Sequence, residues 1–434
     1  MVIGTSTLLL LYIGILLFFF LLGFPVAFSL GLTAVALMLM GIGGGLNEAI
    51  IVSRMFRGVN SFVLLSIPFF LFAGRIMNAG GITERIFRFC QALVGSTRGG
   101  LGHVNVVASM IFAGMSGVAV ADAAGLGPIE YKAMMDAGYP PEFSAGITAA
   151  SSTIGPIIPP SVPLVIYAIL GNVSVGACLI GGIVPGVLIG ITLMIMVAYT
   201  ARAQDFPRGA PFDWVELKES FKNSFLALIT PLILIGGIIS GYFTATEASA
   251  VAVLYAMVLA LFIFREVTFP ELWEMVKATM VDSAAVTFLV ATANAYGYLA
   301  VRTRLPIILA EQMTAITTNP VALLMIINVF LLIVGLFMET IAALTILVPI
   351  LAPLINMVGI DPVHFGVVMV FNLMIGLLTP PFGSVLFVLS KSIDLSLERI
   401  IKGVVPFYIP LLVALLLMTF FPGLVTWLPS LFFG

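Results

Sequence analysis

The segment from Ser151 to Ser161 constrains the fold of this chain more than any other part of its sequence. It reads Ser-Ser-Thr-Ile-Gly-Pro-Ile-Ile-Pro-Pro-Ser and lies between the apolar flanks 145–150 and 162–170. Each proline removes a backbone N–H, and its ring clashes with the preceding turn, so a continuous helix is disfavoured. At membrane depth, non-helical backbone persists only where it is buried in protein or lines a wet cavity. The segment therefore predicts a site for an ion or small solute, and a purely structural proline kink with back-bonded hydroxyls is the alternative.

A second segment of the same kind lies 221 residues further along the chain. Gly376–Ser384 reads Gly-Leu-Leu-Thr-Pro-Pro-Phe-Gly-Ser, and Pro380 follows Pro159 by 221 positions. When 138–185 is laid on 359–406 without gaps, seven of the nine glycines and prolines in the second window meet the same residue in the first. This match predicts an internal repeat. Paired apolar segments interrupted by Gly and Pro are the best sequence indication of a transporter's binding site.

The composition places both segments in a membrane. Hydrophobic residues make up 61% of the 434 residues and charged residues only 9%, and the mean hydropathy is +1.22. A chain of this composition is predicted to be an all-α polytopic membrane protein in contact with the lipid bilayer. The net charge of −2 and the lack of a basic block give no indication of nucleic-acid binding.

The most hydrophilic stretch, 201–223, is the expected linker between two halves. In the second half, Phe269–Lys277 is expected to form an amphipathic arm separate from the apolar run Ala284–Ala300. The remaining predicted units are N-terminal scaffold spans with arm helices (1–100), a first transport region (101–200) with hairpin 1 at about 138–175, a second scaffold part with an arm helix (224–320), and a second transport region (321–434) with hairpin 2 at about 359–395.

One carboxylate stands out within the apolar part of the first half. Asp122 lies in a run of small residues from Ser116 to Gly127, and an ionisable residue in such a stretch is a functional hypothesis by default. A helix-terminal acid that caps backbone amides is the alternative. Glu339-Thr340 occupies the corresponding region of the second repeat.

These stretches together resemble the large membrane subunit of tripartite ATP-independent periplasmic (TRAP) transporters. The resemblance covers nearly the whole chain, with one departure: many relatives have a second serine where this chain has Val118. The segments that carry it are Ser116–Gly127, Ser151–Ser161, Gly335–Thr340 with Pro349, Gly359–Gly366 and Leu373–Gly383.

The resemblance implies an inverted-repeat, elevator-type secondary transporter with a scaffold, a mobile transport domain and two re-entrant helical hairpins. It also implies a separate small four-helix membrane subunit and a periplasmic binding protein that delivers an organic acid. The expected location is the bacterial inner membrane, with several crossings. No cofactor is expected other than Na⁺ as the coupling ion.

The chemistry of the two breaks agrees with that expectation. Sodium prefers oxygen ligands, which broken helices offer as carbonyls and hydroxyls, whereas a carboxylate is bound by the free N–H groups of half-helix N-termini. Neither tip contains Lys or Arg. The predicted substrate-binding residues are Ser116, Asp122, Ser161 and Ser384. The predicted Na⁺ ligands are Ser151, Ser152, Thr153, Gly155, Gly376, Thr379 and Pro380.

Rival functions remain open at this point. An ion channel can also use re-entrant pore loops, although channels usually assemble by subunit symmetry rather than from two divergent repeats. An enzyme is disfavoured because the two histidines, His103 and His364, have no metal spacing and no catalytic motif occurs. The small residues of the tips favour a bulky sugar acid such as sialic acid, with a C4-dicarboxylate as the other substrate class.

Overall fold

The fold of this chain is helical throughout the part that the structure describes. The structure is a computed structural model and describes residues 5–42 and 49–433, except the side chains of residues 5–7, 9, 116, 314 and 316. Its α-helices are α1 (Thr5–Leu21), α2 (Val26–Leu39), α3 (Ala49–Val59), α4 (Ser66–Ala79), α5 (Ile82–Val94), α6 (Gly100–Ser116), α7 (Ala119–Gly125), α8 (Gly127–Asp136), α9 (Pro141–Ser152), α10 (Val162–Gly171), α11 (Val175–Gly181), α12 (Ile183–Ala203), α13 (Trp214–Ile239), α14 (Ala245–Val258), α15 (Phe269–Arg302), α16 (Leu305–Ile316), α17 (Pro320–Gly335), α18 (Thr340–Val358), α19 (Pro362–Gly376), α20 (Ser384–Ile393), α21 (Leu397–Val404), α22 (Tyr408–Phe420) and α23 (Gly423–Phe433).

Seven helical stretches of the described residues are long and apolar enough to cross a membrane, which confirms the prediction of a polytopic protein. Eight shorter apolar helices of 10–17 residues accompany them, α10, α19 and α20 included. The seven stretches are Phe62–Ala79, Val175–Ala203, Trp214–Ile239, Ala245–Ile263, Phe269–Arg302, Thr340–Val358 and Leu397–Phe420.

One of these helices differs from the sequence prediction. Phe269–Lys277 does not form a separate arm, because α15 continues for 34 residues from Phe269 to Arg302. Thr268 and Glu271 form a capping box at its start, where the Thr268 hydroxyl accepts from the Glu271 N–H and the Glu271 carboxylate accepts from the Thr268 N–H. No glycine or proline follows within 270–296 other than Pro270 in the first turn, so nothing ends the helix between the two predicted pieces.

The repeat is visible in the order of the helices. The series α6, α7, α9, α10, α11 and α12 is matched by α17, α18, α19, α20, α21 and α22, with helix starts close to the 221-residue offset. Both α9 and α19 begin with a proline, and each follows a glycine in the left-handed region, Gly138 (φ 82°) and Gly359 (φ 77°). The peptide bonds Pro159–Pro160 and Pro380–Pro381 are both cis.

The two repeats pack reciprocally. Helix α9 packs against α21, and its counterpart α19 packs against α11, the counterpart of α21. In the same way α10 packs against α18, and α20 packs against α7. The α9–α21 contact is so close that a Cβ at Gly146 would lie 2.1 Å from the carbonyl oxygen of Gly403. Two copies related by a two-fold axis contact each other in this way, so the breaks of both repeats belong to one packed unit.

A second group of helices surrounds α15. Helix α15 packs against α2, α3 and α4, while α14 packs against α4 and α13, and α13 against α5. This group meets the repeat unit where α15 packs against α18. At that contact a Cβ at Gly297 would lie 2.6 Å from Cβ of Pro349, so the two helices approach closely.

Candidate functional site

The first break lies at the centre of the repeat unit. Helix α9 ends at Ser152 and α10 begins at Val162, so the interruption predicted for Ser151–Ser161 is present. Every residue from 143 to 168 is buried, the turn between the two helices included. A buried turn must satisfy its polar groups internally or with a bound ligand, which makes its hydrogen bonds informative.

The hydroxyls of this turn donate to protein acceptors. The Ser151 hydroxyl donates to Oδ1 of Asn105 at 2.7 Å, that of Ser152 to the Ala149 carbonyl at 2.8 Å, and that of Thr153 to the Ala150 carbonyl at 2.7 Å. A hydroxyl whose hydrogen is already engaged in a hydrogen bond presents only lone pairs to a ligand. The arrangement therefore suits a cation, although back-bonded hydroxyls are also what a purely structural proline break would show.

The second break has the same plan but a different exposure. Helix α19 ends at Gly376 and α20 begins at Ser384. The Thr379 hydroxyl donates to the Ile375 carbonyl at 2.8 Å, and the Leu378 carbonyl accepts from the Tyr408 hydroxyl at 2.6 Å. Unlike the first turn, this one is open at its tip, because Pro381 and Phe382 are exposed.

The two serines at the starts of α10 and α20 have different local roles. Ser161 caps α10: its oxygen accepts from the Leu164 N–H at 3.1 Å, and its hydroxyl donates to the Pro156 carbonyl. Ser384 is the first residue of α20, after Gly383 at the cap position. Its hydroxyl is buried and has no hydrogen-bond partner among the described residues. Of the two, Ser384 has the hydroxyl that is available to a ligand.

The interruption between α6 and α7 lies directly against the first turn. Gly117 (φ 64°) packs on the Pro160 carbonyl, and a Cβ built on it would lie 2.3 Å from that oxygen. Asp122 is buried in α7, and its Oδ2 would lie 2.2 Å from a Cβ at Gly155. The structure thus brings Asp122 to the turn that holds the predicted sodium ligands. The side chain of Ser116 lies outside the described part of the chain, so its predicted role stays a prediction.

The interruption between α17 and α18 has the equivalent position in the second repeat. A Cβ at Gly376 would lie 2.6 Å from Cα of Gly335, so the two chains are in backbone contact. Glu339 caps α18, since its carboxylate accepts from the N–H groups of Ile341 at 2.9 Å and Ala342 at 3.3 Å. The neighbouring Thr340 hydroxyl is buried and finds no partner among the residues described.

A chain of three buried polar residues that begins close to the second break was missed by the sequence analysis. Asn372, in the last turns of α19, donates to Oδ1 of Asn328 at 3.0 Å, and Asn328 donates to Thr419 Oγ1 at 2.8 Å. The Asn372 Oδ1 has no partner within the described residues. The 221-residue offset could have indicated Asn372. This residue stands 221 positions after Ser151, and Ser151 makes the matching contact to Asn105 in the first repeat.

Glu130 is a further buried polar residue that the sequence analysis missed. It lies in α8, and 1% of the residue is exposed. Its Oε1 makes no hydrogen bond with any described residue. A single carboxylate among polar neighbours carries no sequence signal for such burial.

The donor set around both breaks consists of oxygens. No group of three or more His, Cys, Asp or Glu residues that could hold a metal ion occurs among the described residues. His364 is engaged through Nε2 with the Met418 carbonyl at 2.8 Å. Hydroxyls, carbonyls and the carboxylates of Asp122 and Glu339 favour a weakly held hard cation over a transition metal.

Comparison with known proteins places these features in a family. The chain matches the family described as the tripartite ATP-independent periplasmic transporter, DctM component, over residues 13–424. It is 45% identical over 412 residues to the sialic acid TRAP transporter large permease protein SiaM of Vibrio cholerae, a match that covers 95% of this chain and 96% of that protein.

Two further relatives and one solved structure extend the comparison. The chain is 40% identical to the sialic acid TRAP transporter permease protein SiaT of Haemophilus influenzae, over 94% of this chain and 66% of that protein. It is 36% identical to the C4-dicarboxylate TRAP transporter large permease protein DctM of Vibrio cholerae, over 95% of each chain. The crystal structure of the YdaH transporter of Alcanivorax borkumensis aligns with a TM-score of 0.62 over 86% of this chain and 87% of that one. At 16% identity, this last likeness concerns the fold alone.

Proposed function

Because this chain belongs to the DctM component family of the TRAP transporters, we propose that it is the permease subunit that couples the uptake of an organic acid to sodium. The chain is a TRAP transporter large permease and not an enzyme. Sodium coupling is supported by the buried oxygen-rich turn at Ser151–Gly155 and by its counterpart at Gly376–Pro380. That pair of interrupted helices is the single observation on which the proposal depends.

The substrate is proposed to meet hydroxyls and backbone amides rather than a basic side chain. Neither turn contains Lys or Arg. Helix α20 begins at the second turn, and the first N–H groups of a helix together with its dipole attract an anion. Ser384 stands at this N-terminus with a hydroxyl free to donate. We assign the substrate carboxylate to Ser384, Ser116 and the start of α10 at Ser161, with Asp122 and bound sodium close by.

Sialic acid is the proposed substrate. The relatives with 45% and 40% identity are named for sialic acid, whereas the relative named for C4-dicarboxylates shares 36%. The small residues of both turns also favour a bulky acid, as the sequence predicted. A C4-dicarboxylate is the second candidate, because the same hydroxyls and amides would bind one of its carboxylates.

The partners and the mode of movement are part of the same proposal. A small membrane subunit would complete the scaffold, and a periplasmic binding protein would deliver the acid to a complex in the bacterial inner membrane. The reciprocal packing of the repeats into one unit supports an elevator movement of that unit against the helices around α15. The two interrupted helix pairs would then be re-entrant hairpins.

Counterflow in proteoliposomes tests this proposal. The permease is reconstituted with its small subunit, the binding protein is added outside, and unlabelled acid is loaded inside. Labelled N-acetylneuraminate should accumulate only when sodium is present, and labelled succinate should not. Accumulation of succinate instead would move the assignment to the dicarboxylates. If the labelled acid only equilibrates and never accumulates against its gradient, the protein is a channel, because a pore cannot couple the exit of one molecule to the entry of another.

A further inference from the structure

A cavity away from both breaks is walled by helices of the repeat unit and of the surrounding group. Its volume is about 420 Å³. One wall consists of α3 and α15, with Arg54, Asn294 and Tyr298, and the other of the end of α10 and the second half of α18, with Gly171 and Asn356. Because α10 starts at the first turn and the cavity lies at its far end, this space is separate from the sites proposed above.

The charge of the lining is positive. Among the described residues, Arg54 is the only basic residue of the lining, and no described Asp or Glu contributes to it. The half-buried guanidinium makes no ion pair with any residue in 5–42 or 49–433. Five of the other arginines of the described chain are paired with acids, namely Arg75, Arg85, Arg88, Arg98 and Arg399. A partly desolvated cation without a counter-charge favours the binding of an anion.

The position of Arg54 leaves its hydrogen-bond donors available. Its Cζ lies 3.9 Å from the centre of the Tyr298 ring, so the ring face fixes the guanidinium plane. A guanidinium held over a ring keeps its N–H groups at the edge, where they can bind a carboxylate or phosphate in a bidentate manner. The Asn356 side chain adds an exposed amide to the lining.

The size of the cavity fits a small organic anion or a lipid headgroup, since small-molecule sites span roughly 300–1,000 Å³. We propose that this cavity is an anion-binding site for a carboxylate or phosphate group, with Arg54 as its anchor and Asn356 as a second donor. The anion would bridge the two groups of helices, because its ligands come from both walls. This proposal does not depend on sodium-coupled uptake.

Protection of a thiol in the cavity measures occupancy directly. The buried Cys90 and Cys178 are first changed to alanine, and Val301→Cys then places one thiol in the lining, at a position that is 54% exposed. Purified protein in phosphatidylcholine nanodiscs is treated with N-ethylmaleimide, which is uncharged. One arm adds sodium N-acetylneuraminate or sodium succinate at constant ionic strength. The other arm replaces part of the lipid by phosphatidylglycerol, without added acid.

The expected result is slower alkylation in at least one arm, by about five-fold or more at saturation, and no slowing by mannitol or choline. Protection by the free acids in phosphatidylcholine assigns the site to an organic acid. Protection that requires phosphatidylglycerol assigns it to a headgroup. Absence of protection in both arms overturns the proposal.

Arg54→Gln, with Arg57→Gln as its matched control, tests the anchor. Arg57 lies on the same helix but does not line the cavity. Loss of a charge-assisted hydrogen bond should raise the half-protecting concentration roughly ten-fold or more in Arg54→Gln and leave it unchanged in Arg57→Gln. Equal protection in both variants would show that Arg54 does not hold the anion.

If Arg54→Gln gives no single gel-filtration peak, Arg54→Lys replaces it. That variant keeps the charge but loses the planar fork, so it should weaken protection by a smaller factor, and unchanged protection overturns the assignment.

Discussion

At the scale of single residues, the two turns differ in which oxygens they leave for a ligand. In the first turn the hydroxyls donate hydrogen bonds to protein acceptors. In the second turn one serine hydroxyl, that of Ser384, has no partner among the described residues. Lone pairs bind a cation, and a free O–H binds an anion. The first turn therefore suits sodium, and the start of α20 suits the carboxylate.

Thr153→Val and Thr379→Val test the cation sites. Valine keeps the shape of threonine but removes one oxygen ligand, so each change should raise the sodium concentration for half-maximal uptake several-fold. The measurement is uptake in proteoliposomes at graded sodium. Thr426→Val is the matched control, because the Thr426 hydroxyl is also bonded back to a helix carbonyl, that of Pro422 at 3.1 Å, but on α23. Uptake that runs equally well on a proton gradient without sodium would rule out the coupling.

Ser161→Ala and Ser384→Ala separate a structural serine from a ligand-binding one. Ser161→Ala removes a helix cap and should cost about 0.5–2 kcal/mol of stability. Ser384→Ala removes an unpartnered hydroxyl and should leave the unfolding midpoint unchanged. It should instead weaken substrate affinity roughly ten- to a hundred-fold, as expected for a lost hydrogen bond to a charge. Thermal unfolding and concentration-dependent uptake are measured together, and normal transport by both variants would remove these serines from the site.

At the scale of helices, close backbone contacts hold the breaks in place. Gly376 meets Gly335 without room for a side chain, and Gly146 meets Gly403 in the same manner. Each contact joins two segments that the sequence places far apart. The geometry of the site therefore depends on small residues that touch no ligand.

Gly376→Ala tests this dependence. The added Cβ would lie 2.6 Å from backbone atoms of Gly335, so α19 or α17 has to shift, and we expect a destabilisation of about 1–3 kcal/mol. Gly236→Ala on α13 is the matched control, since no atom lies within 4 Å of its Cβ position. That change should be neutral or mildly stabilising, because alanine favours a helix. Equal unfolding midpoints for the two variants would contradict the packing argument.

The ion pair between Glu142 and Arg399 links α9 to α21 and should respond to pH. The hydrogen bond from Arg399 Nε, at 2.7 Å, holds the pKa of Glu142 below its usual value. A lowered carboxyl pKa stabilises the fold above the unfolded value of about 4.3, and this contribution is lost as the pH falls through the folded value. Both side chains are partly exposed, so the effect is small.

Glu142→Gln should therefore lower the unfolding midpoint slightly at pH 7 and have a smaller effect near pH 3. Glu398→Gln is the control, because Glu398 pairs with Lys402 within α21 and joins no second helix. A midpoint difference for Glu142→Gln that stays the same at both pH values would show that the pair does not stabilise the contact.

At the scale of the whole molecule, the two turns are not equivalent in this state. The first is buried throughout, and the second exposes Pro381 and Phe382. Alternating access between two related turns would require each to become accessible in turn. The difference in exposure between the two turns is therefore expected to reverse, or to disappear, when the transporter changes its conformation.

Cysteine accessibility checks this expectation. With Cys90 and Cys178 changed to alanine, Phe382→Cys should react rapidly with a membrane-impermeant thiol reagent, and Ser161→Cys slowly. If the repeats are inverted, residues leading into the two turns should react from opposite faces, and substrate with sodium should protect both. Labelling of both from one face in every ion condition would indicate parallel repeats or a pore, and the elevator mechanism would be wrong.

The sequence determined the elements and the approximate positions of the breaks. Proline and glycine act through the backbone of their own turn, so the ends of α9 and α19 and the 221-residue repeat could be found without coordinates. The same local chemistry misled at Phe269–Lys277, where polar residues suggested an end that no proline or glycine enforces. Composition alone was enough to predict a helical membrane protein.

Only the tertiary structure decided what those breaks contact. The Asn372–Asn328 contact and the approach of Asp122 to Gly155 join segments that are distant in sequence. The burial of Glu130 likewise could not be expected from its polar neighbours along the chain. Such contacts depend on how two repeats fit together, and fit is a property of packed surfaces rather than of any local pattern. For the same reason the cavity at Arg54, which α3, α15, α10 and α18 form together, could not be recognised before the helices were assembled.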